Sequence, residues 1–304
     1  MIHGILNVYK EKGFTSHDVV AKLRGITGQR KIGHTGTLDP DAEGVLPVCL
    51  GRATKLCDML TDRDKTYEAV LLLGRVTDTQ DISGEVLETR DTSGLSRESV
   101  ERAIEGFVGK YDQIPPMYSA LKVNGRKLYE LAREGKEVER KARTVWIYGI
   151  DILEADLPRV RMRVQCSKGT YIRTLCHDIG EKLQCGGCME ELTRTRSGRF
   201  SAETSLTLAQ IARMSGQGNL TDALIPMDAV FGDCPALTVK KNWETTAKNG
   251  NPLPRRAFDG LSGEEGCPQK KVRIYTGDGQ FISVCQWQEE KEEYHILKMF
   301  YVSE

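Results

Sequence analysis

The segment GHTGTLDPDAEGVLPV, residues 33–48, places the carboxylate of Asp39 between a leucine and a proline in a loop rich in glycine and threonine. A carboxylate there can cap a turn, bind a cation or react as a nucleophile, and an aspartate before a proline commonly opens a turn. Pro40 has no N–H and restricts Asp39 to extended conformations. A capping bond would therefore have to reach Asp41 or Ala42. Because loops of this kind between apolar segments often carry function, Asp39 is a candidate reactive group, with the turn as the alternative.

Three other segments combine polar reactive side chains with strand starts, helix starts or tight turns. Tyr67 stands at the start of the apolar run KTYEAVLLLG, and Arg173 follows CSKGTY just inside a helical pattern. The segment LTRTRSGRF adds three arginines, Arg194, Arg196 and Arg199. Taken singly, Tyr67 is typical of a half-buried strand and Arg173 of a helix surface. Their occurrence in one chain with Asp39 favours a shared site.

The segments around these side chains show both strand and helix patterns. The runs ILNVYK, KTYEAVLLLG, TVWIYGIDIL and VRMRVQC are apolar and rich in β-branched or aromatic residues, which predicts strands. Helices are predicted after Thr15 or Ser16 and after Ser96, because these residues are good N-caps and apolar residues follow at helical spacing. Since a regular βαβ repeat is missing, the pattern predicts an α+β fold with antiparallel pairing.

Two parts of the chain differ from the rest. The excursion of about 110–144 contains Pro115-Pro116, an Asn124-Gly125 turn and many Lys and Arg residues, which predicts an exposed segment carrying the short helix RKLYELARE. From residue 233 onward, short strand patterns and a Gly-Asp-Gly turn predict a compact β-rich domain. We therefore expect a larger domain over 1–232 and a small one over 233–304.

The composition indicates a protein of the cytosol. The chain has 304 residues, 39% apolar and 28% charged, and no run approaches the ~20 apolar residues of a membrane span. The start MIHGILNVYKEKG is too short and too soon charged for a signal peptide. The formal net charge is zero, but residues 114–200 carry 17 basic and 11 acidic side chains. This excess could present one electropositive face to phosphates, or it could lie on solvated helix faces.

Nine cysteines, an odd number scattered through apolar segments, suit reduced thiols. Cys176, His177, Cys185 and Cys188 form the one cluster to consider as a zinc site. Its first two members are adjacent, which is poor geometry for one tetrahedral ion, so no metal is expected there. Gly186-Gly187 is better explained as the turn that ends the helix TLCHDIGEKLQ.

Four long motifs occur in order along the chain: GHTGTLDPDAEGVLPVCLGRATKL, KTYEAVLLLGRVTDTQDISGEV, QIPPMYSALKVNGRKLYELAREG and CSKGTYIRTLCHDIGEKL. They resemble the signature, tyrosine, RNA-gripping and arginine segments of the bacterial tRNA pseudouridine synthases of the TruB family. The tail is similar to that family's PUA domain. The resemblance implies a pseudouridine synthase fold, with a mixed, largely antiparallel central sheet flanked by helices and a small β-rich, PUA-like C-terminal domain. One motif departs: the family's KPxGxTS is KEKGFTS here, and we expect Glu11 in place of the proline to change RNA affinity modestly.

By this resemblance the protein would isomerise uridine 55 in the T-loop of tRNA to pseudouridine, without cofactor or metal because no redox change occurs. Asp39 would be the reacting carboxylate and Arg173 its ion-pair partner. Tyr67 would stack on the uracil and take part in proton transfer. His34 would fill the place of the flipped base, and Leu192 would pack the target pocket. The other residues expected to contact the substrate are Lys10, Gly33, Thr35, Lys122, Arg126 and Lys127.

The resemblance also implies partners. The excursion would clamp the T-arm of tRNA and the C-terminal domain would reach toward the acceptor end, in a cytoplasmic monomer with no membrane contact and no obligate protein partner. Two other classes compete. An RNA-binding protein with an idle site would be expected to lack Asp39, Tyr67 or Arg173, and all three are present. A metal-dependent hydrolase built on His34, Asp39 and Asp41 would need a further ligand at helical spacing, such as HExxH. A role as a tRNA folding assistant alongside catalysis stays open.

Overall fold

The computed structural model describes residues 1–258 and 270–301, so parts of the predicted domain over 233–304 lie outside the described residues. The strands in those residues are β1 (Gly4–Lys10), β2 (Ile32–His34), β3 (Glu43–Leu50), β4 (Lys65–Leu73), β5 (Arg75–Thr77), β6 (Val86–Thr89), β7 (Gly109–Gln113), β8 (Lys122–Val123), β9 (Arg126–Lys127), β10 (Arg143–Asp156), β11 (Arg159–Cys166), β12 (Gly187–Ser197), β13 (Phe200–Ser201), β14 (Ala236–Thr238), β15 (Leu253–Pro254), β16 (Lys271–Tyr275), β17 (Phe281–Gln288) and β18 (Glu293–Met299). The α-helices are α1 (Ser16–Thr27), α2 (Cys57–Thr61), α3 (Arg97–Glu105), α4 (Leu128–Arg133), α5 (Ile172–Lys182), α6 (Leu208–Gly216) and α7 (Glu244–Lys248). None of these helices is long and apolar enough to cross a membrane.

A mixed sheet in the order β1-β3-β12-β4-β11-β10-β7 forms the centre of the larger part, with β2 beside β3 and β13 beside β12. Its neighbouring strands run antiparallel, except β3 and β12, which are parallel. The predicted α+β class and largely antiparallel sheet are confirmed. At the parallel pair, Gly44 lies opposite Arg194, and a Cβ on Gly44 would come within 2.2 Å of the Arg194 carbonyl oxygen. Only glycine fits there, and the close approach fixes where the loop before β3 meets β12.

Helices pack on this sheet through buried apolar clusters. Helices α3 and α5 pack against β4, β11 and β12, while α1 and α6 cover one face of β1 and β3. The predicted caps are present: the side chains of Thr15 and Ser96 each accept from the N–H three residues on. These contacts satisfy N–H groups that a helix start leaves unpaired, so α1 and α3 begin at fixed residues.

The end of α5 differs in detail from the predicted Gly-Gly turn. Gln184 and Gly186 adopt left-handed backbone angles after the helix, whereas Gly187 is already the first residue of β12. A Cβ on Gly180 of α5 would lie 2.2 Å from Gly187 N. The two glycines therefore let the helix and the strand pass at backbone contact.

The basic excursion lies between β7 and β10. It contains the hairpin β8-β9, which turns at Asn124-Gly125 with positive φ angles, followed directly by α4. The predicted turn and short helix are confirmed.

The C-terminal residues form a five-stranded sheet in the order β14-β16-β17-β18-β15. One apolar cluster lies wholly within this C-terminal region and includes Phe258 and Trp287. Val284 and Phe300, in contrast, join a buried cluster with Ile5 of β1 and other residues of the larger part. The region is β-rich as predicted, and its core is continuous with the core beneath the central sheet.

Candidate active site

Asp39 lies in the turn between β2 and β3, and its carboxylate faces Arg173. Asp39 Oδ2 is 3.1 Å from Arg173 Nε, and 42% of the Asp39 side chain is exposed. The turn is closed by the backbone, because the N–H of Ala42 donates to the Asp39 carbonyl at 3.2 Å. Across the described residues, no backbone N–H donates to the Asp39 carboxylate. The turn is therefore closed by backbone groups and not by the carboxylate.

Arg173, at the start of α5, connects three segments of the chain. Its side chain is only 6% exposed. Besides the contact with Asp39, its guanidinium donates to the carbonyl of Thr79 at 3.0 Å and to that of Tyr118, in the excursion, at 2.8 Å. It also lies 3.6 Å from the carboxylate of Asp81. A guanidinium with this many acceptors is fixed in one orientation. The positive charge that faces Asp39 is therefore held in a fixed position.

Asp81 is a site residue that the sequence patterns did not single out. It lies in the segment TDTQDISGEV, which the patterns indicate only as a polar connector. Its Oδ1 accepts from the hydroxyl of Thr79 at 2.8 Å and from the N–H of Ser83 at 3.0 Å. These bonds hold the second carboxylate beside Arg173. The Thr and Ser residues beside Asp81 are a sequence signal of a turn, but they do not indicate which distant cation its carboxylate faces.

Residues of the KEKGFTS motif support the Asp39 turn from behind. The ammonium of Lys10 is fully buried and donates to the carbonyls of Phe14 at 2.6 Å and Pro40 at 3.0 Å. Ser16 bonds the backbone of Leu38, whose N–H donates to its hydroxyl at 2.9 Å. The Lys10 ammonium therefore supports the turn, and its expected contact with the substrate stays a prediction.

Tyr67 and Arg194 lie opposite each other on β4 and β12, and both are buried. Arg194 is 1% exposed, and its Nε donates to the carbonyl of Val45 at 2.7 Å. Burial raises the pKa of Tyr67, while the neighbouring Arg194 lowers it to a smaller extent. A neutral phenol is thus favoured at neutral pH. Sequence patterns indicated Arg194 only as one of three arginines; its burial beneath the loop marks it as a positioning residue.

The walls of the site are apolar. Leu38 and Leu192 are 4% and 9% exposed and belong to the same buried cluster as Tyr67. Leu192 lies opposite Ala69 of β4, two residues along the strands from the pair of Tyr67 and Arg194. The placement of Leu192 is compatible with packing a target pocket.

The residues before the turn have mixed surroundings. His34 is half-buried, its Nδ1 is 3.2 Å from the Gly36 carbonyl oxygen, and its ring meets that of His17 edge-on. Burial lowers the pKa of His34, which favours the neutral ring. Thr35 is fully buried, and a Cβ on Gly33 would be 3.1 Å from Cys57 Sγ. His34 therefore makes the contact with a nearby carbonyl that is typical of a histidine in a turn. Thr35 is enclosed by protein.

The three basic residues of the excursion differ in their partners. Lys122 is exposed and has no ion-pair partner among the described residues. Arg126 is paired with Glu134, and Lys127 Nζ donates to the hydroxyl of Tyr129 at 3.1 Å. Lys122 is thus the most available of the three for a phosphate.

Opposing effects act on the pKa of Asp39. Burial of the carboxyl group raises it, the charge of Arg173 lowers it, and the charge of Asp81 raises it again, with a net upward direction from 3.8. Because the side chain is open to solvent on one side, water reduces the effect of burial, and the ion pair keeps the carboxylate available at neutral pH. In the described part of the chain, no group of three or more His, Cys, Asp or Glu residues is arranged to hold a metal ion.

Comparison with known proteins identifies the family. A family model described as the N-terminal domain of TruB family pseudouridylate synthase matches residues 24–172, and one described as tRNA pseudouridylate synthase B C-terminal domain matches residues 173–231. The tRNA pseudouridine synthase B of Lachnoclostridium phytofermentans is 54% identical over 98% of this chain and 100% of its own length. The chain belongs to the TruB family of pseudouridylate synthases.

Other matches agree with this TruB assignment. The tRNA pseudouridine synthase B of Clostridium novyi is 46% identical over 93% of this chain and 95% of its own length. A chain in the structure of a Cbf5-Nop10-Gar1 complex superposes with a TM-score of 0.72 at 28% identity, over 98% of this chain and 84% of that chain. A chain of an H/ACA RNP bound to a substrate RNA containing 2′-deoxyuridine gives 0.71 at 26% identity, over 98% and 85%. The family and the pseudouridine synthase fold expected from the motifs are confirmed.

Proposed function

We propose that the protein isomerises uridine 55 in the T-loop of tRNA to pseudouridine, with Asp39 as the reacting carboxylate. Membership of the TruB family, whose named relatives are tRNA pseudouridine synthases, supports the reaction and the substrate class. The observation that carries the residue assignment is the contact of Asp39 with Arg173 at 3.1 Å, made by a carboxylate that caps no backbone group. A nucleophile held by one fixed cation and open to solvent is ready to meet a substrate.

The reaction exchanges one bond to the ribose for another. The bond from N1 of uracil to C1′ breaks, the bond from C5 to C1′ forms, C5 loses a proton and N1 gains one. Asp39 can attack C6 of the ring, attack C1′, or assist departure of the base, and Arg173 stabilises its charge in each route. Tyr67, as a neutral phenol, stacks on the uracil while the ring turns. The apolar walls of Leu38 and Leu192 exclude water around it.

The uridine must leave the T-loop to reach Asp39, which costs a few kcal/mol of unstacking. We assign to His34 the filling of the vacated place, supported by its half-buried neutral ring beside the turn. Gly33 and Thr35 shape the backbone of that segment rather than offering side chains to the RNA. Recognition then rests mainly on the folded shape of the T-arm, as is usual for RNA.

The remaining parts of the molecule take roles in binding. Lys122, with Arg126 and Lys127, clamps the T-arm backbone from the excursion, and the small domain over 233–304 reaches toward the acceptor end. Residues 1–232 form the catalytic domain in this proposal. The protein acts as a monomer in the cytoplasm in this proposal. The eight cysteines of the described residues form no disulfides, which suits a reducing compartment. A second role in tRNA folding would use the same contacts.

The test of this proposal is formation of pseudouridine by the purified protein on an unmodified tRNA transcript, mapped by position. Asp39→Asn keeps the size of the side chain but is a far poorer nucleophile, so single-turnover product formation should fall by about 10⁴-fold or more. Affinity for tRNA should stay near that of the parent. Asp41→Asn is the matched control, since Asp41 is exposed on the same loop and should keep full activity.

Two results would count against the proposal. Product at another position of the tRNA would overturn the T-loop assignment. Activity of Asp39→Asn within about tenfold of the parent would return this aspartate to a structural role.

A further inference from the structure

A cavity of about 560 Å³ opens where β4 begins and β12 ends. Its lining includes Arg63, Lys65, Tyr148 and Arg196 from the central sheet and its turns, and Gly232-Asp233 where the C-terminal region starts. Its volume falls in the range of about 300–1,000 Å³ that is usual for ligand sites. No residue assigned above to catalysis or base flipping lines it, so it is separate from the candidate active site.

Three arginines at this cavity, Arg63, Arg196 and Arg199, have no carboxylate partner within 4.0 Å among the described residues. Arg196 Nε donates only to the carbonyl of Gly198 at 2.7 Å, and Arg199 donates to the carbonyl of Ala229. Each guanidinium keeps donors that protein groups do not use.

The arginines of one other strand of the same sheet behave differently. Those of β11 all pair with glutamates: Arg159 with Glu190 at 2.7 Å, Arg161 with Glu191 at 3.4 Å and Arg163 with Glu68 at 2.8 Å. The guanidinium groups at the cavity thus lack the carboxylate partners that neutralise the arginines of β11. Concentrated positive charge of this kind suits phosphate oxygens.

One further lining residue favours a nucleic acid over a free anion. Tyr148 is 53% exposed, and its hydroxyl donates to Asp64 at 3.1 Å, which turns that lining carboxylate toward the tyrosine. An exposed ring beside unpaired arginines is the combination on which nucleotides stack.

We propose that this cavity is a second tRNA-binding subsite, in which Arg63 and Arg196 bind backbone phosphates and Tyr148 stacks on a neighbouring base. Four cations and two carboxylates line it, so its field favours a polyanion. Its position next to Gly232-Asp233 places the bound strand between the central sheet and the start of the C-terminal region. The proposal rests on tRNA being the substrate, as proposed above.

The first experiment replaces Arg63 and Arg196 together by Gln and measures tRNA affinity across a range of KCl concentrations. Each lost phosphate contact should reduce the slope of log affinity against log salt by about 0.7–0.9. The double variant should therefore lose about 1.5 from that slope, and about tenfold in affinity near physiological salt. The single-turnover rate at saturating enzyme should not change, because neither arginine touches the reacting groups.

The control is the double variant Arg161→Gln, Arg163→Gln, which removes the same charge from paired arginines of the same sheet. It should keep the slope and affinity of the parent. An equal loss in the control would mean that only overall charge matters, and would overturn the subsite. A parent-like slope for the Arg63 and Arg196 variant would overturn it as well.

Tyr148 gives an independent measurement. Tyr148→Ala should weaken tRNA binding about 5- to 150-fold at every salt concentration without changing the slope, because stacking releases no counterions. Tyr148→Phe keeps the ring and should bind within about twofold of the parent. Binding by Tyr148→Ala that equals the parent would contradict the stacking role. A parent protein that forms no pseudouridine in tRNA would instead remove the proposed function, so the two failures are distinguishable.

Discussion

At the scale of single residues, the site is a set of charges fixed by burial. Arg173 is almost enclosed and its donors are used by Asp39 and by two carbonyls, whereas Asp39 remains open on one side. Arg173 is therefore held in place before the substrate arrives, and the substrate must move to meet Asp39. The buried Arg173 orients the partly exposed carboxylate of Asp39 before RNA binds. This lowers the reorganisation needed to reach the transition state.

The raised pKa of Asp39 leads to a prediction for activity against pH. Only the ionised carboxylate reacts, so the single-turnover rate should fall as pH decreases, with a midpoint above the ordinary 3.8. Asp81→Asn removes a charge that raises the pKa of Asp39, so the acid limb should move to lower pH in that variant. The measurement is the rate at saturating enzyme between about pH 4 and 8. An acid limb that stays in place or moves upward would contradict this electrostatic account.

The raised pKa of Asp39 also predicts the direction in which its removal changes the stability of the fold. A carboxyl group whose pKa is higher in the folded than in the unfolded state binds its proton more tightly when folded, so its ionised form opposes folding at neutral pH. Asp39→Asn should therefore leave the thermal midpoint unchanged or raise it. This expectation accompanies the loss of activity stated above and separates a reacting carboxylate from one that supports the fold.

At the scale of elements, the turn after β1 and the turn before β3 form one unit. Lys10 and Gly13 both donate to the carbonyl of Pro40, and Ser16 bonds Leu38, so residues on either side of Asp39 are tied to the start of α1. Glu11, the departure in this motif, contributes its carbonyl to Lys10. A proline at that position would keep the carbonyl, which explains how the substitution leaves the support intact.

Lys10→Met tests this unit, because it keeps the length of the side chain and removes its donors. We expect the single-turnover rate to fall about 10- to 100-fold through misplacement of Asp39, with tRNA affinity within about twofold of the parent. A phosphate-binding lysine would give the opposite result, with weaker affinity, a smaller salt slope and an unchanged rate. Lys12→Met is the control, since Lys12 is exposed two residues away.

Local sequence patterns predicted the helices, strands and turns better than the long-range contacts between them. The caps at Thr15 and Ser96, the strand beginning at Lys65 and the Asn124-Gly125 turn follow from neighbouring residues, and all are present. The placement of Asp81 and the burial of Lys10 and Arg194 could not be predicted in this way. A buried cation is identified by acceptors that reach it from distant segments, and hydrophobic periodicity carries no information about them.

At the scale of the whole molecule, the two sheets share an apolar core. Phe300 is 1% exposed and stacks on Phe281 at 5.0 Å between ring centroids, within the cluster that includes Ile5. Strand patterns predicted a small domain over 233–304 because they show where strands occur. They carry no information about which faces remain apolar after each sheet has formed. The boundary near residue 232 is therefore crossed by packing.

A single cooperative thermal transition is expected for the whole chain. Phe300→Ala should destabilise it by about 3–5 kcal/mol, since a large buried ring is lost and a cavity remains. Leu297→Ala is the control: Leu297 is 45% exposed on β18 and should change the stability by less than about 1 kcal/mol. Calorimetry that resolves two transitions, with only one lowered by Phe300→Ala, would show that the sheets unfold independently.

The contact between Asp39 and Arg173 also has a consequence for the order of events during synthesis of the chain. During synthesis the aspartate leaves the ribosome first, and its cationic partner follows 134 residues later. At about 5–20 residues per second, that interval is roughly 7–27 s. Throughout it the turn can form against the start of α1, while the carboxylate has no fixed cation to face. The turn can thus form in the nascent chain before Asp39 gains its cationic partner, so the local shape of the site precedes its reactivity.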